Sequence, residues 1–475
     1  MARAAAILLC SLLLASTAGR AAENDDLNLI PEEVRAPDAP GSAAPGDAPA
    51  PAPAAPRGQL FLEDAATLFS YRNGLLVPPP AQAAPNLRHR LSLDARQEWA
   101  PGEGLKLTYS GRLNLFAEDD FNFPSQQSVR HDLREAYASW EAVPRGFLDA
   151  GRINLKSGTA LGFNPTDFFK TRAVIDRTSQ DPSVLRENRL GTLMARGQAI
   201  WEGGAFALAF APSLYEPSRI YAPNDMPSLD PMFDRTNAEN RLLLKTNLDL
   251  DIGLSPEFLV YREGGRTTLG ANLSHNLGQS TVVYAEWAGG RRASLIEDAV
   301  RYGQKTGALP SAVPILLQGG RGEKFQQDLT LGASYTTESR ITFNLEYHYH
   351  QAGMSKSDWR NWFDVGRANA GSRAAVGQLW YIRGYALDRQ EPLTRHSSFL
   401  RATWTDAFVR DLELVGLVNT NLYDGSSFVQ LTANYFLSSA WTVGAIASAS
   451  LGRDRSERGS QASDMSLTVK AVRYF

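Results

Sequence analysis

The sequence predicts an all-β chain, a transmembrane antiparallel β-barrel of 18 strands with 16 as the alternative count. Three observations carry this. Apolar and polar residues alternate with period two in segments of about 9–13 residues, the tilted span of a bilayer core. The connections between these segments sort into tight turns and long loops, as they do in outer-membrane barrels. Beyond the N-terminal segment, no run of about 18 apolar residues could cross a membrane as a helix. Charge of 21%, aromatics of 10% and a net charge of −3 give no global pull toward nucleic acid.

Residues 1–22 read as a signal peptide. Arg3 supplies the positive start, Ala4–Leu14 the apolar stretch, and Ala18 or Ala21 the small-residue cleavage site. The single cysteine, Cys10, lies inside it, so residues 23–475 offer no disulfide, thiolate metal site or cysteine nucleophile. Residues 23–57 form a linker whose Ala36–Arg57 stretch is rich in Ala, Pro and Gly and cannot bury a core. It is expected to be a solvated periplasmic tether, either a plain spacer or a tail for a periplasmic partner.

Residues 58–475 hold the barrel. In Leu87–Trp99, Leu87, Leu91, Leu93, Ala95 and Trp99 oppose Arg88, Arg90, Ser92, Asp94, Arg96 and Glu98. Leu105–Ala117 and Leu242–Ile252 repeat the pattern, and Ile341–Tyr349 is the cleanest case. There Ile341, Phe343, Leu345, Tyr347 and Tyr349 oppose Thr342, Asn344, Glu346 and His348. A one-residue slip would place Glu346, His348 and His350 in lipid, at up to about 2–4 kcal/mol for a strong charge near the midplane. Tight turns are expected after Ala100, Val143, Trp201, Leu254, Leu277, Tyr335 and Leu437, with long loops near 118–127, 155–190, 213–237, 291–323 and 351–396. Trp99, Trp140, Trp201, Trp404 and Trp441 all sit beside tight turns, which reads as one aromatic girdle. Working back from Phe475 gives seventeen strands; bacterial barrels close on even numbers, so one more is expected within Gln59–Tyr71. Ser372–Glu391 and Ala293–Lys305 are expected as helices inside external loops.

Met465, Leu467, Val469 and Ala471 alternate with polar residues up to Phe475. This end resembles the final strand of bacterial outer-membrane barrels, whose terminal aromatic the barrel-assembly machinery recognises. Arg473 departs from that pattern and is accommodated if it snorkels at a rim. Outer-membrane lipid and lipopolysaccharide are the other partners this location implies.

The stretch 155–190 is long, lacks alternation, and is the third extracellular loop on the eighteen-strand count. In position and length it resembles the porin loop that folds inward and sets the constriction. Its opening run GRINLKSGTALGFNPTDFFK, Gly151–Lys170, is similar to that of a group of outer-membrane barrels, and alginate-export barrels share the strand number and a basic interior. Ala160, Leu161, Gly162, Phe163, Phe168 and Phe169 are expected to pack on the inner wall, and Asn164–Asp167 to form an Asx-type turn. Lys170, Arg172, Arg177, Arg186 and Arg189 would then line the constriction. Arg88, Arg90, Arg96, Arg112, Arg152, Arg196, Lys245, Glu346, His348 and His350 would line the lumen. Such bases either select anions or pair with Asp94, Glu98, Asp132, Glu135, Asp149, Asp249 and Asp251 in structural ladders.

Glu346, His348 and His350 share a strand face at a spacing that could hold a metal, but without a helix or a third His the signal is weak, and a lumen polar ladder is the plainer explanation. No catalytic set, metal site or cofactor is implied. The reading is an outer-membrane pore for passive diffusion of small hydrophilic, anionic solutes. Two alternatives stand beside it: an exporter of an anionic polysaccharide, and a scaffold barrel sheathing a partner protein.

Overall fold

The computed structural model describes residues 58–80, 85–119, 129–220, 229–250, 254–317, 319 and 322–475. The expectations for residues 1–57, most of the 118–127 loop, Asp251 and Ile252 lie outside them.

Eighteen strands form the wall. The first nine are β1 (Gly58–Tyr71), β2 (Leu87–Gly102), β3 (Leu105–Glu118), β4 (Val129–Val143), β5 (Gly146–Ile153), β6 (Thr192–Trp201), β7 (Gly204–Ala211), β8 (Arg241–Leu248) and β9 (Leu254–Glu263). The rest are β10 (Arg266–Leu277), β11 (Thr281–Arg292), β12 (Lys324–Thr336), β13 (Ile341–His350), β14 (His396–Trp404), β15 (Leu412–Asn421), β16 (Ser427–Ser438), β17 (Trp441–Leu451) and β18 (Ser463–Tyr474). Each pairs antiparallel with its sequence neighbours, and β1 pairs with both β2 and β18, so the sheet closes on itself. Closure removes the two edges whose unpaired backbone groups would each cost several kcal/mol in hydrocarbon.

The register follows the alternation. Leu93, Leu107, Leu115, Leu244, Phe258, Leu345 and Leu467 stand exposed on the outer face, while Arg90, Asp94, Arg112, Glu286, Glu346 and His348 are buried inside. Trp99, Trp140 and Trp201 are exposed at the short-turn rim. Arg473 lies there too, its guanidinium 5.2 Å from the Trp441 ring and 5.3 Å from that of Phe475. The departure at the C-terminus is thus a cation held between two rim aromatics. One turn sits elsewhere than expected: Leu254 already belongs to β9, so Ser255–Glu257 are strand and the connection precedes Leu254.

Among the described residues five α-helices lie in the long loops: α1 (Pro182–Glu187), α2 (Phe233–Thr236), α3 (Leu295–Lys305), α4 (Lys356–Ala368) and α5 (Arg373–Arg389). The α3 and α5 helices fall where expected; α4 does not appear in the sequence reading. Its signal was present, since Ser355 and Asp358 form a capping box ahead of Trp359, Trp362 and Phe363 at helical spacing. These three helices build an apolar core of their own with Val77, Leu309, Leu317, Met354 and Leu393. It forms a lid at the long-loop rim.

Candidate functional site: an inward loop clasped across the bore

The loop joining β5 to β6 enters the barrel and meets the wall on nearly every side. Its outbound limb is held by backbone amides. Thr159 and Ala160 donate to Glu286 Oε1 on β11 at 2.5 and 2.7 Å. Leu161 donates to Glu346 Oε1 at 2.6 Å and Gly162 to Glu346 Oε2 at 2.8 Å, on β13. Four consecutive amides thus rest on two wall carboxylates. The approach needs glycine: a Cβ on Gly162 would lie 2.5 Å from the Phe399 ring and 2.7 Å from His348. Gly158 has φ +71° and faces Glu286 just as closely.

Beyond the clasp, Thr330 on β12 donates to the Phe163 carbonyl at 2.7 Å. Asn164 Oδ1 accepts from Thr166 and Asp167 amides at 3.1 and 2.9 Å, the expected Asx turn. Phe168 stacks on Tyr261 of β9, with centroids 4.5 Å apart. The apolar loop residues therefore pack on the inner wall.

Side chains hold the return limb. Asp176 pairs with Arg90, which also reaches Glu63 at 2.5 Å, and Glu63 takes Arg112 at 2.6 Å. Asp181 meets Arg401 of β14 at 3.2 Å, the Gln180 amide donates to Gln430 of β16 at 2.8 Å, and Arg134 of β4 donates to Asn188 at 2.8 Å. Burial opposes the charge on Asp176, but Arg90 and Arg112 outweigh it and hold that carboxyl far below its ordinary range.

The lid closes over this loop. The Arg172 amide donates to the Asp388 carbonyl at the end of α5 at 2.9 Å, and Gln390 donates to the Lys170 carbonyl at 2.6 Å. Arg235 in α2 reaches the Asp388 carboxylate at 2.6 Å. Cations at a helix C-terminus are favourable there on dipole grounds as well.

The five bases expected at the constriction part company. Lys170, Arg172 and Arg189 do not line an opening; they are buried. Lys170 donates to the Asn164 carbonyl and lies 4.5 Å above the Phe163 ring. Burial pushes its ammonium down to about 8, against the pull of Asp167 and Glu391. Arg189 grips Asp167 at 2.6 Å, and Arg172 faces Asp388 at 3.5 Å. A cation this deep needs a carboxylate, and each of these three finds carboxylate or carbonyl oxygen beside it. Arg177 and Arg186 are half-buried and donate to backbone carbonyls, Arg177 to Leu387 at 2.8 Å and Arg186 to Ser157 and Gly158 at 3.3 and 3.1 Å.

The wall candidates face inward, and most are paired. Arg88 meets Glu118 at 2.7 Å, Arg96 meets Glu98 at 3.7 Å, Arg196 meets Asp149 at 2.8 Å and Lys245 meets Glu257 at 3.3 Å. Arg152 is fully buried, donating to the Gly191 and Pro231 carbonyls at 2.9 and 2.5 Å.

His348 and His350 belong to separate networks. His348 lies 2.8 Å from Glu346 and 3.1 Å from Ser397, whereas His350 lies 2.8 Å from Asp328. The Ser397–His348–Glu346 order has the outline of a hydrolase relay, but Ser397 is only 6% exposed beneath the loop. Glu346 meanwhile accepts two loop amides and the Tyr284 hydroxyl at 2.7 Å, so its task here is to hold the loop. Among the described residues no group of three His, Cys, Asp or Glu is placed to hold a metal ion.

A closed sheet, apolar outside and polar within, with an aromatic rim, fits one setting. The chain is an outer-membrane β-barrel of porin-like architecture. No family model matches it, and no curated protein matches its sequence. Solved structures do. Pseudomonas aeruginosa OccK11 (OpdR) aligns over 88% of this chain and 96% of its own, at TM-score 0.48 and 10% identity. Pseudomonas aeruginosa OccK3 (OpdO) aligns over 89% and 96%, at TM-score 0.48 and 12% identity. A variant of the Rh. blastica porin aligns over 88% and 100%, at TM-score 0.38 and 8% identity.

Proposed function

We propose that this barrel is a diffusion pore for small hydrophilic solutes, with the inward loop as its gate. The carrying observation is that the polar bore is crossed by a segment whose clasp and ladder are hydrogen bonds and ion pairs, exchangeable for water, with apolar packing limited to a few loop residues such as Leu161, Phe168 and Phe169. Solutes pass along the wetted wall, without turnover or cofactor, when the loop and the lid above it shift. A preference for anions rests on Arg177 and Arg186, the two constriction candidates that are only half-buried and whose bonds go to carbonyls rather than carboxylates. Fixed positive charge in a narrow low-dielectric passage concentrates anions.

Planar-bilayer recording tests this reading. The purified protein should give discrete conductance steps with a reversal potential of anionic sign in a salt gradient. Arg177→Gln with Arg186→Gln should move that potential toward cations while steps persist. An absence of steps would reject the pore, and an unmoved potential would reject the assigned charges.

A further inference from the structure

We infer that the outer face of β9–β11, at the long-loop rim, is a binding site for the phosphorylated headgroup of a membrane lipid. Here β9 and β10 are joined only through Gly264 and Gly265, the shortest connection on that rim, so little loop covers the outer face. Directly below the turn, Thr267 pairs with Arg262 on one side. On the other, the Thr268–Gly290 pair sets Thr267 level with Arg291. Arg262 and Arg291 are both exposed and follow the parity of the lipid-facing residues Phe258, Val260 and Trp287 on their own strands. With neighbouring strands about 4.8 Å apart, their backbones stand about 10 Å from each other, so one phosphate between them is within reach of both guanidinium groups.

Charge separates these two from their neighbours. Arg266 is paired to Asp298 at 3.1 Å and to Glu323 at 3.0 Å, Lys305 to Glu239 at 3.3 Å, and Arg301 to Glu297 at 2.5 Å. Arg262 and Arg291 donate only to the Gly264 and Glu323 carbonyls, each at 3.4 Å. Among the described residues no carboxylate is paired with either; of the nearby acids, Asp298 and Glu323 serve Arg266, and Glu239, beside Gly264, serves Lys305. Below the pair the surface turns apolar, with Val260 and Leu269 in one row and Phe258, Ala271 and Trp287 in the next. Beside Leu269, Gly289 leaves room for the rings of Trp287 and Phe325, which a Cβ there would meet at 2.5 and 2.8 Å. Two uncompensated arginines above an apolar step match a lipid that carries a phosphate over acyl chains.

The test uses the full barrel in zwitterionic nanodiscs, offered purified lipopolysaccharide with its phosphates intact or enzymatically removed. Native mass spectrometry reads the bound fraction. The wild type should retain the phosphorylated form at least ten-fold better than the dephosphorylated one. Arg262→Gln with Arg291→Gln should abolish that difference, whereas Arg340→Gln at the opposite rim should preserve it. Both changes lie outside the bore, so conductance should stay as in the wild type. Equal retention of the two lipid forms, or by wild type and double variant, would overturn the inference. So would release of the lipid by millimolar inorganic phosphate, which would mark a site for the free anion.

Discussion

The two limbs of the inward loop are held by opposite means. The outbound limb, Gly158 to Lys170, offers backbone amides to two wall carboxylates. The return limb, Arg172 to Arg189, offers side chains to a ladder in which Arg90, Glu63, Arg112 and Asp176 answer one another. The amide clasp depends on two acceptors with no substitute nearby. The ladder spreads its charge over several partners, but each member is needed to neutralise another. On the proposed reading the clasp is the limb that opens, and the ladder is the hinge that stays.

The largest effect is expected on the ladder. Arg90→Ala leaves Glu63 and Asp176 buried with fewer partners and should lower barrel stability by about 3–5 kcal/mol, read as a drop in Tm in detergent. A loss under about 1 kcal/mol would mean that water already solvates this region. Next comes the clasp. Glu346→Gln should loosen the loop more than Glu286→Gln does. Both oxygens of Glu346 take a backbone amide, so one must face the new NH2 group, whereas a single oxygen of Glu286 takes both of its amides. Each amide left unmet costs about 1–3 kcal/mol, and limited proteolysis of the loop would rank the two variants. Gly162→Ala should act on the same limb by overpacking against Phe399 and His348, at about 1–3 kcal/mol in the same assay.

Acidity gives the smallest and most discriminating effect. The carboxyls of Asp176 and Asp167 are held below their ordinary value by Arg90 and Arg189 against the cost of burial. Their contribution is present above the unfolded value of about 4 and is lost as pH falls through the lower folded value. The loop should therefore keep its protease resistance down to about pH 4 and weaken only below it. Lys170 gives the same direction in a more alkaline window. Its folded value of about 8 lies below the ordinary one, so stability declines as pH falls from about 10 toward 8 and is level below that.

The wall was legible in the sequence because a barrel repeats one rule, and a slip of one residue inverts every side chain. Strand number and girdle follow from that rule, whereas the inward loop is expected from its resemblance in position and length to the porin loop. The loop's contents were readable where backbone geometry dominates, as in the Asn164 turn and the small residues around Gly162. Pairing was not readable, because Arg90 and Asp176, or Arg172 and Asp388, lie far apart in the chain and meet only once the barrel has closed. Lys170 and Arg189 look like free charge in a list of residues and are buried partners in space. The clasp is hidden for a related reason: Glu346 reads as an ordinary lumen polar residue, Glu286 carries no signal of its own, and their ligands are amides that no side-chain pattern reveals. The α4 helix was missed although its capping box was visible.

Single-channel conductance of Glu286→Ala with Glu346→Ala, compared with the wild type, tests the gate most directly. With the clasp removed and the ladder intact, the steps should grow several-fold or dwell far longer in the open state. Conductance and dwell times unchanged from the wild type would mean that the loop does not control the passage.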